Sequence, residues 1–328
     1  PRPTLTPHPH PTSVTYIRIV IDSYDAVIAG GGAAGLSAAL LLGRARRRVL
    51  VIDDGAPRNQ SAAHMHGVLG LENAPPAELL ERGRREAASY GVEFIDGHVA
   101  EVADAASGPG LAIHTVEGPT VHARAFLLAT GVSDALPDIP GLAERWGTTV
   151  AHCPFCHGWE VRDQPVGVLA TSPFATHQVE MLRSIAGPIT LFADGEHAPA
   201  EGERQQLEAA GVRVVDAPIT ELLGEAPQLR GVRTADGAEV ELAALFLLPA
   251  ARPNEDCVAG LELARAESPM GSLLAVDQQG RTSHPRIWAA GNVVLPPANV
   301  PMCVGAGAMA GPAIHGTLAH EDLTAAAH

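Results

Sequence analysis

Tyr24-Asp25-Ala26-Val27-Ile28-Ala29-Gly30-Gly31-Gly32-Ala33-Ala34-Gly35-Leu36-Ser37-Ala38-Ala39-Leu40-Leu41-Leu42 is the stretch that decides the fold of this chain. A short β-type run enters a glycine-rich turn, and a run of small and apolar residues of helical character leaves it. The turn reads GxGxxG. Gly30 permits the tight turn, Gly32 lets the backbone approach a pyrophosphate, and Gly35 lets helix and strand pack closely. The next apolar run, Arg48-Val49-Leu50-Val51-Ile52, ends at Asp53-Asp54. Asp53 stands about 20 residues past the fingerprint, where an acid accepts hydrogen bonds from an adenosine ribose. Strand, turn, helix, strand and terminal acid occur together, which predicts a Rossmann-like unit that binds a dinucleotide.

At 328 residues the chain is long enough for a second such unit. Its net charge of −15 argues against nucleic acid or an anionic membrane as partner, since both require a basic footprint. There is no lysine, and the one basic run is Arg44, Arg46, Arg47 and Arg48, read as the solvated end of a helix before a strand. No apolar run has the length of a membrane helix. Residues 1–22 begin with alternating Pro, Thr and His and are expected to be a disordered extension outside the fold. A cytoplasmic protein with reduced thiols is the resulting expectation.

The chemistry is concentrated in Ala151-His152-Cys153-Pro154-Phe155-Cys156-His157-Gly158-Trp159-Glu160. Cys153 and Cys156 are spaced to close a small disulfide, and His152 and His157 flank them as groups able to move the protons that thiol chemistry generates. An imidazolium beside a thiol also raises its thiolate fraction. Zinc competes for the same four side chains, but structural zinc draws a second ligand pair from distant sequence, and Cys257 and Cys303 are isolated. Each of those two reads as a packed thiol, with proximity to a cofactor the alternative for Cys303. His64 and His66 are read as packing at the cofactor or at a dimer face, with metal as the competing reading. No metal is expected.

Further along, Glu101-Val102 and Leu111 to Val116 read as a small antiparallel layer leading to Ala125-Phe126-Leu127-Leu128-Ala129-Thr130-Gly131. A late strand, Ile287 to Val293, contains Ala289-Ala290-Gly291-Asn292, and a Gly/Ala-rich helix is expected from Cys303 to Leu318. With the fingerprint and the CxxC, these features resemble the flavoproteins of the thioredoxin reductase family from about Tyr24 to the C-terminus. The resemblance implies an α/β fold of two Rossmann-like dinucleotide-binding domains, the first of three-layer ββα type. The FAD-binding domain is discontinuous, 23–135 and 251–328, and an NAD(P)-type domain, 136–250, is inserted into it after Pro137-Asp138-Ile139-Pro140. It implies FAD held by Gly30, Gly32, Ala33, Ala34, Gly35, Asp53 and Asp54, by Arg58, Asn59, His66 and Val99, by Ala129, Thr130 and Gly131, and by Gly291, Asn292, Asn299 and Val300. It also implies a homodimer.

The inserted unit departs from the family. After the strand Pro165-Val166-Gly167-Val168-Leu169 comes Ala170-Thr171-Ser172-Pro173-Phe174-Ala175, where reductases carry a second glycine fingerprint for NADPH. Ala170 and Ser172 stand for its glycines, and Pro173 removes a backbone N–H where phosphate oxygens would be received. Asp194 and Glu196 stand where arginines would hold a 2′-phosphate. NADPH is not expected there, although Asp194 suits the ribose of NADH.

An intact first fingerprint, a CxxC and a damaged second fingerprint look most like the branch of FAD-dependent dithiol oxidases that close disulfides in microbial natural products such as gliotoxin and holomycin. By that resemblance a substrate thiolate attacks Cys153, and the second substrate thiol releases a cyclic disulfide. Cys156, the more buried thiol, passes electrons to FAD, and dioxygen is reduced to peroxide. His157 takes the acid/base position. Two alternatives stay open: a disulfide reductase fed by NADH or another donor, and a flavoprotein that sequesters a dithiol without turnover.

Overall fold

The computed structural model describes residues 23–106, 108–116, 118–193 and 195–327. The expected N-terminal extension and Asp194 lie outside the described residues. Buried β-branched and small residues build the first sheet: β1 (Ser23–Ala29), β2 (Val49–Asp53) and β3 (Glu93–Asp96) run parallel, joined by helices α1 (Ala33–Arg44) and α2 (Pro76–Ser89). Strands β4 (Val99–Asp104), β5 (Leu111–Thr115) and β6 (Val121–Leu128) follow, and the order is β3-β2-β1-β6-β5-β4. The β6 strand does two jobs along its length. Its first half pairs antiparallel with β5, and its second half, Phe126 to Leu128, pairs parallel with the late strand Ile287–Ala289. The antiparallel β4-β5 layer expected from the sequence therefore peels off the parallel sheet there.

Strand β7 (Val132–Ala135) leaves this sheet and pairs antiparallel with a returning strand, Ala250–Pro253. Between them the chain forms a second parallel sheet. Its strands are β8 (Val150–Ala151), β9 (Val166–Leu169), β10 (Ile189–Phe192), β11 (Arg213–Val215) and a fifth, Ala244–Leu247, which lies between β9 and β8. Every residue of β9, β10 and the fifth strand is buried, as expected for strands covered on both faces. The short α3 (Pro154–His157) follows β8, α4 (Ala175–Leu182) follows β9, and α5 (Glu201–Ala209) follows β10.

The chain ends in α6 (Val300–Ala325), longer at both ends than the expected 303–318. Asn299 caps it by accepting from the Met302 backbone N–H at 3.1 Å, and Pro301 sits in its first turn, where no intrahelical N–H is lost. Small residues let α6 lie against α1: a Cβ on Gly307 would stand 2.0 Å from the Ala34 carbonyl oxygen, and one on Gly311 3.0 Å from that of Ala38. Among the described residues no helix is long and apolar enough to cross a membrane.

Candidate active site

A cavity of about 1150 Å³ runs from the β1–α1 turn to the CxxC segment. At one end the glycines behave as their spacing requires. Gly30 has φ +101° and no room for a side chain, since a Cβ would lie 2.4 Å from the Ala129 carbonyl oxygen. A Cβ on Gly35 would lie 1.9 Å from the Gly30 carbonyl oxygen, whereas one on Gly32 meets nothing within 4 Å. Gly35 is thus a packing residue, which lets the start of α1 approach the turn. Gly32 opens the backbone to a ligand. The Asp53 carboxylate accepts from the Gly31 N–H at 2.8 Å and from Arg84 at 2.9 Å, which fixes it at the end of β2 facing the cavity. Arg84, on α2, carries no pattern that sequence reasoning uses.

Ala33, Ala34, Asp54, Asn59, Val99, Ala129, Thr130, Gly131, Gly291, Asn299 and Val300 also line the cavity. Three other expected contacts are present with different partners. Arg58 grips Asp134 through two hydrogen bonds of 2.8 and 2.6 Å and donates to the Pro296 carbonyl at 2.7 Å. The Asn292 amide nitrogen donates to the Pro296 and Ala298 carbonyls at 2.9 and 2.8 Å, so its side chain holds the loop before α6. His66 lines the wall, but its two ring nitrogens face carboxylates, Glu72 at 2.7 Å and Glu160 at 3.5 Å.

At the other end Cys153 and Cys156 are joined in a disulfide, Cα–Cα 5.2 Å, with Cys153 preceding α3 and Cys156 within it. Both are half-buried. Their bond to each other also removes the two thiolates a zinc site would use, and among the described residues no group of three or more His, Cys, Asp or Glu is placed to hold a metal.

Burial sets the protonation of both histidines. Desolvation pulls His152 down from 6.5 to about 4, with the Arg58 charge adding to it, and its ring lies 6.1 Å from that of Trp146. His157 is lowered as well, by burial first; the Gly147 hydrogen bond and the Glu160 charge oppose the shift. The lowering favours the neutral ring, the form that takes up a proton. Its Nε2 lies 3.3 Å from the Gly147 carbonyl oxygen, which only accepts, so the proton sits on Nε2. Nδ1 is then an unprotonated lone pair, buried and without a hydrogen-bond partner.

Residues invisible to motif reading complete the site. Asn254 ties the returning strand to the β6 end: its backbone carbonyl accepts from the Thr130 hydroxyl at 2.5 Å and its amide donates to the Thr130 carbonyl at 3.1 Å. Gln178, on α4 and 5% exposed, donates to the His152 carbonyl at 2.6 Å. Cys257 and Cys303 are free, buried thiols that also line the cavity. The fingerprint, the acid closing β2 and an elongated cavity leading to a disulfide together fit FAD.

The model for pyridine nucleotide-disulphide oxidoreductases matches residues 24–311. Thioredoxin reductase sirT of Leptosphaeria maculans is 31% identical over 320 residues, 92% of this chain and 96% of that protein. The crystal structure of HlmI superposes with a TM-score of 0.87 at 40% identity, covering 93% of this chain and 95% of that one. An oxidoreductase from Agrobacterium tumefaciens superposes with a TM-score of 0.84 at 39% identity, covering 91% and 99%. The chain therefore belongs to the pyridine nucleotide-disulphide oxidoreductases, as a thioredoxin reductase-like FAD flavoprotein and an enzyme of thiol–disulfide chemistry.

Proposed function

We propose that the protein is a dithiol oxidase: it closes an intramolecular disulfide in a small-molecule dithiol, with dioxygen as final acceptor and peroxide as product. The observation that carries this reading is a disulfide sharing one cavity with an intact dinucleotide turn, while the second turn carries Ala170, Ser172 and Pro173 with its side-chain hydroxyls bonded within the chain. In that second turn the Ser172 hydroxyl accepts from the Phe174 N–H at 3.3 Å and the Thr171 hydroxyl donates to the Leu248 carbonyl at 2.8 Å. Pro173 has no N–H to offer. The Thr171 N–H is bonded to the Leu169 carbonyl at 2.9 Å, the Phe174 N–H to Ser172, and Pro173 contributes none.

The proposed exchange balances as follows. A substrate thiol gives its proton to Nδ1 of His157, and its sulfur attacks Sγ of Cys153. The Cys153–Cys156 bond breaks and its electron pair leaves on Cys156. The second substrate thiol attacks the mixed disulfide and loses its proton to solvent; the cyclic product departs and both cysteines are left reduced. FAD, held by the β1–α1 turn, Asp53 and the wall formed by Ala129 to Gly131 and Asn299, supplies the two-electron oxidant that restores the disulfide. We assign FAD binding to 23–135 and 251–328 and scaffolding of the CxxC to 136–250, a division supported by the β7 ribbon at the crossing. Exposed Met302, Val304 and Met309 on α6 support a homodimer.

Cys153→Ser or Cys156→Ser is expected to abolish dithiol-dependent oxygen uptake while the protein stays yellow; undiminished uptake contradicts the reading. A disulfide reductase is the second reading, favoured by the name of the Leptosphaeria maculans relative, a thioredoxin reductase. Rapid flavin reduction by a nicotinamide cofactor is the result that would favour it.

A further inference from the structure

The irregular segment from Asp54 to Pro75, between β2 and α2, touches the surroundings of His157 at two points. Ser61 packs against Gly147, whose Cβ position would stand 2.2 Å from the Ser61 hydroxyl, and the Gly147 carbonyl is the partner of His157 Nε2. His66 reaches Glu160 at 3.5 Å through Nε2 while Nδ1 is 2.7 Å from Glu72. Glu160 lies three residues after His157 in a helical path, α3 continuing through Gly158 in right-handed conformation into the turn Trp159–Val161. Residues so spaced share a face.

We propose that Glu160, held by His66, is a positioning residue for thiol exchange: its carboxylate is the counter-charge to the imidazolium that His157 becomes on accepting the substrate proton. This rests on His157 being the proton acceptor in the reading above. A buried imidazole that gains a charge needs an opposite charge within reach, and Glu160 is the carboxylate on its own helical path. The two ring nitrogens of His66 face one carboxylate each, so the ring stands between Glu72 and Glu160. Glu72 fixes the ring from its far side, also accepting from the Gly67 N–H at 2.9 Å. The remaining groups around His157 are the Gly147 carbonyl and the His152 imidazole, itself beside the Arg58–Asp134 pair. Glu160 and His66 act on His157 with opposite sign, the first favouring its protonation and the second opposing it.

The test is anaerobic flavin bleaching by dithiothreitol in FAD-loaded wild type, Glu160→Gln, Glu160→Asp, His66→Gln and His157→Asn, followed from acid to neutral pH. Ratios to wild type cancel the ionisation of the dithiol. Glu160→Gln is expected to slow exchange roughly tenfold, less than the hundredfold or greater loss on removing a general base, and to move the acid limb to lower pH. His66→Gln is expected to move that limb to higher pH, and Glu160→Asp to return it towards wild type. Limbs that stay put, or move the same way in both variants, overturn the inference while leaving His157 as base. An acid limb that survives unchanged in His157→Asn overturns the base assignment itself, and the inference with it.

Discussion

Four cysteines share one cavity and divide into two chemistries. Burial pushes the Cys257 thiol up to about 11 and raises Cys303 as well, so neither is a thiolate at neutral pH. After mild reduction, iodoacetamide at neutral pH is expected to alkylate the CxxC pair and to spare Cys257 until the chain unfolds; early labelling of Cys257 contradicts this. His152 gives a stability prediction. Its folded-state value near 4 lies below 6.5, so the unfolded chain binds the extra proton between the two. Its contribution is whole above the upper value and is lost as pH falls towards the lower one, by on the order of 3 kcal/mol. The urea midpoint of wild type is therefore expected to drop more steeply over that window than that of His152→Gln. Gly30, Gly32 and Asp53 were legible in sequence because their spacing encodes a backbone path. His66 and Asn292 also line the cavity, but the neighbours on which their side chains spend polar atoms are chosen by tertiary packing and were not legible. Arg84, Gln178 and Asn254 act across 31, 26 and 124 residues of chain, a separation no local pattern records.

At the scale of elements, α1 and α6 meet through small residues along the first turns of α1, just past the dinucleotide turn. A Cβ on Gly307 would stand 2.0 Å from a backbone carbonyl, which cannot yield as a side chain can. Gly307→Ala is expected to destabilise the protein by about 2 kcal/mol or more and to loosen FAD, read as a lower thermal midpoint and free flavin on gel filtration. A midpoint equal to wild type contradicts that packing role. The β1–α1–β2 run and the strand at 165–169 followed from periodicity and turn residues, and the antiparallel β4-β5 layer was legible from its spacing. The ends of α6 were not, because Ala and Gly at both ends carry little periodic signal; its start is set by the Asn299 cap and Pro301 instead.

Across the whole molecule, a mixed sheet and a parallel sheet joined by a two-stranded ribbon put the dinucleotide turn and the disulfide at the two ends of one cavity. Electrons need a path only between the thiols and that turn. The second sheet retains its strands and α4, yet the Ser172 and Thr171 hydroxyls of its turn are bonded within the chain, consistent with a scaffold for the CxxC. The most direct test is anaerobic stopped-flow absorbance of the FAD-loaded protein mixed separately with NADPH, NADH and a small dithiol. The account predicts fast bleaching by the dithiol alone, reversed with stoichiometric peroxide when air is admitted. Fast bleaching by either nicotinamide cofactor, with none by the dithiol, would contradict it.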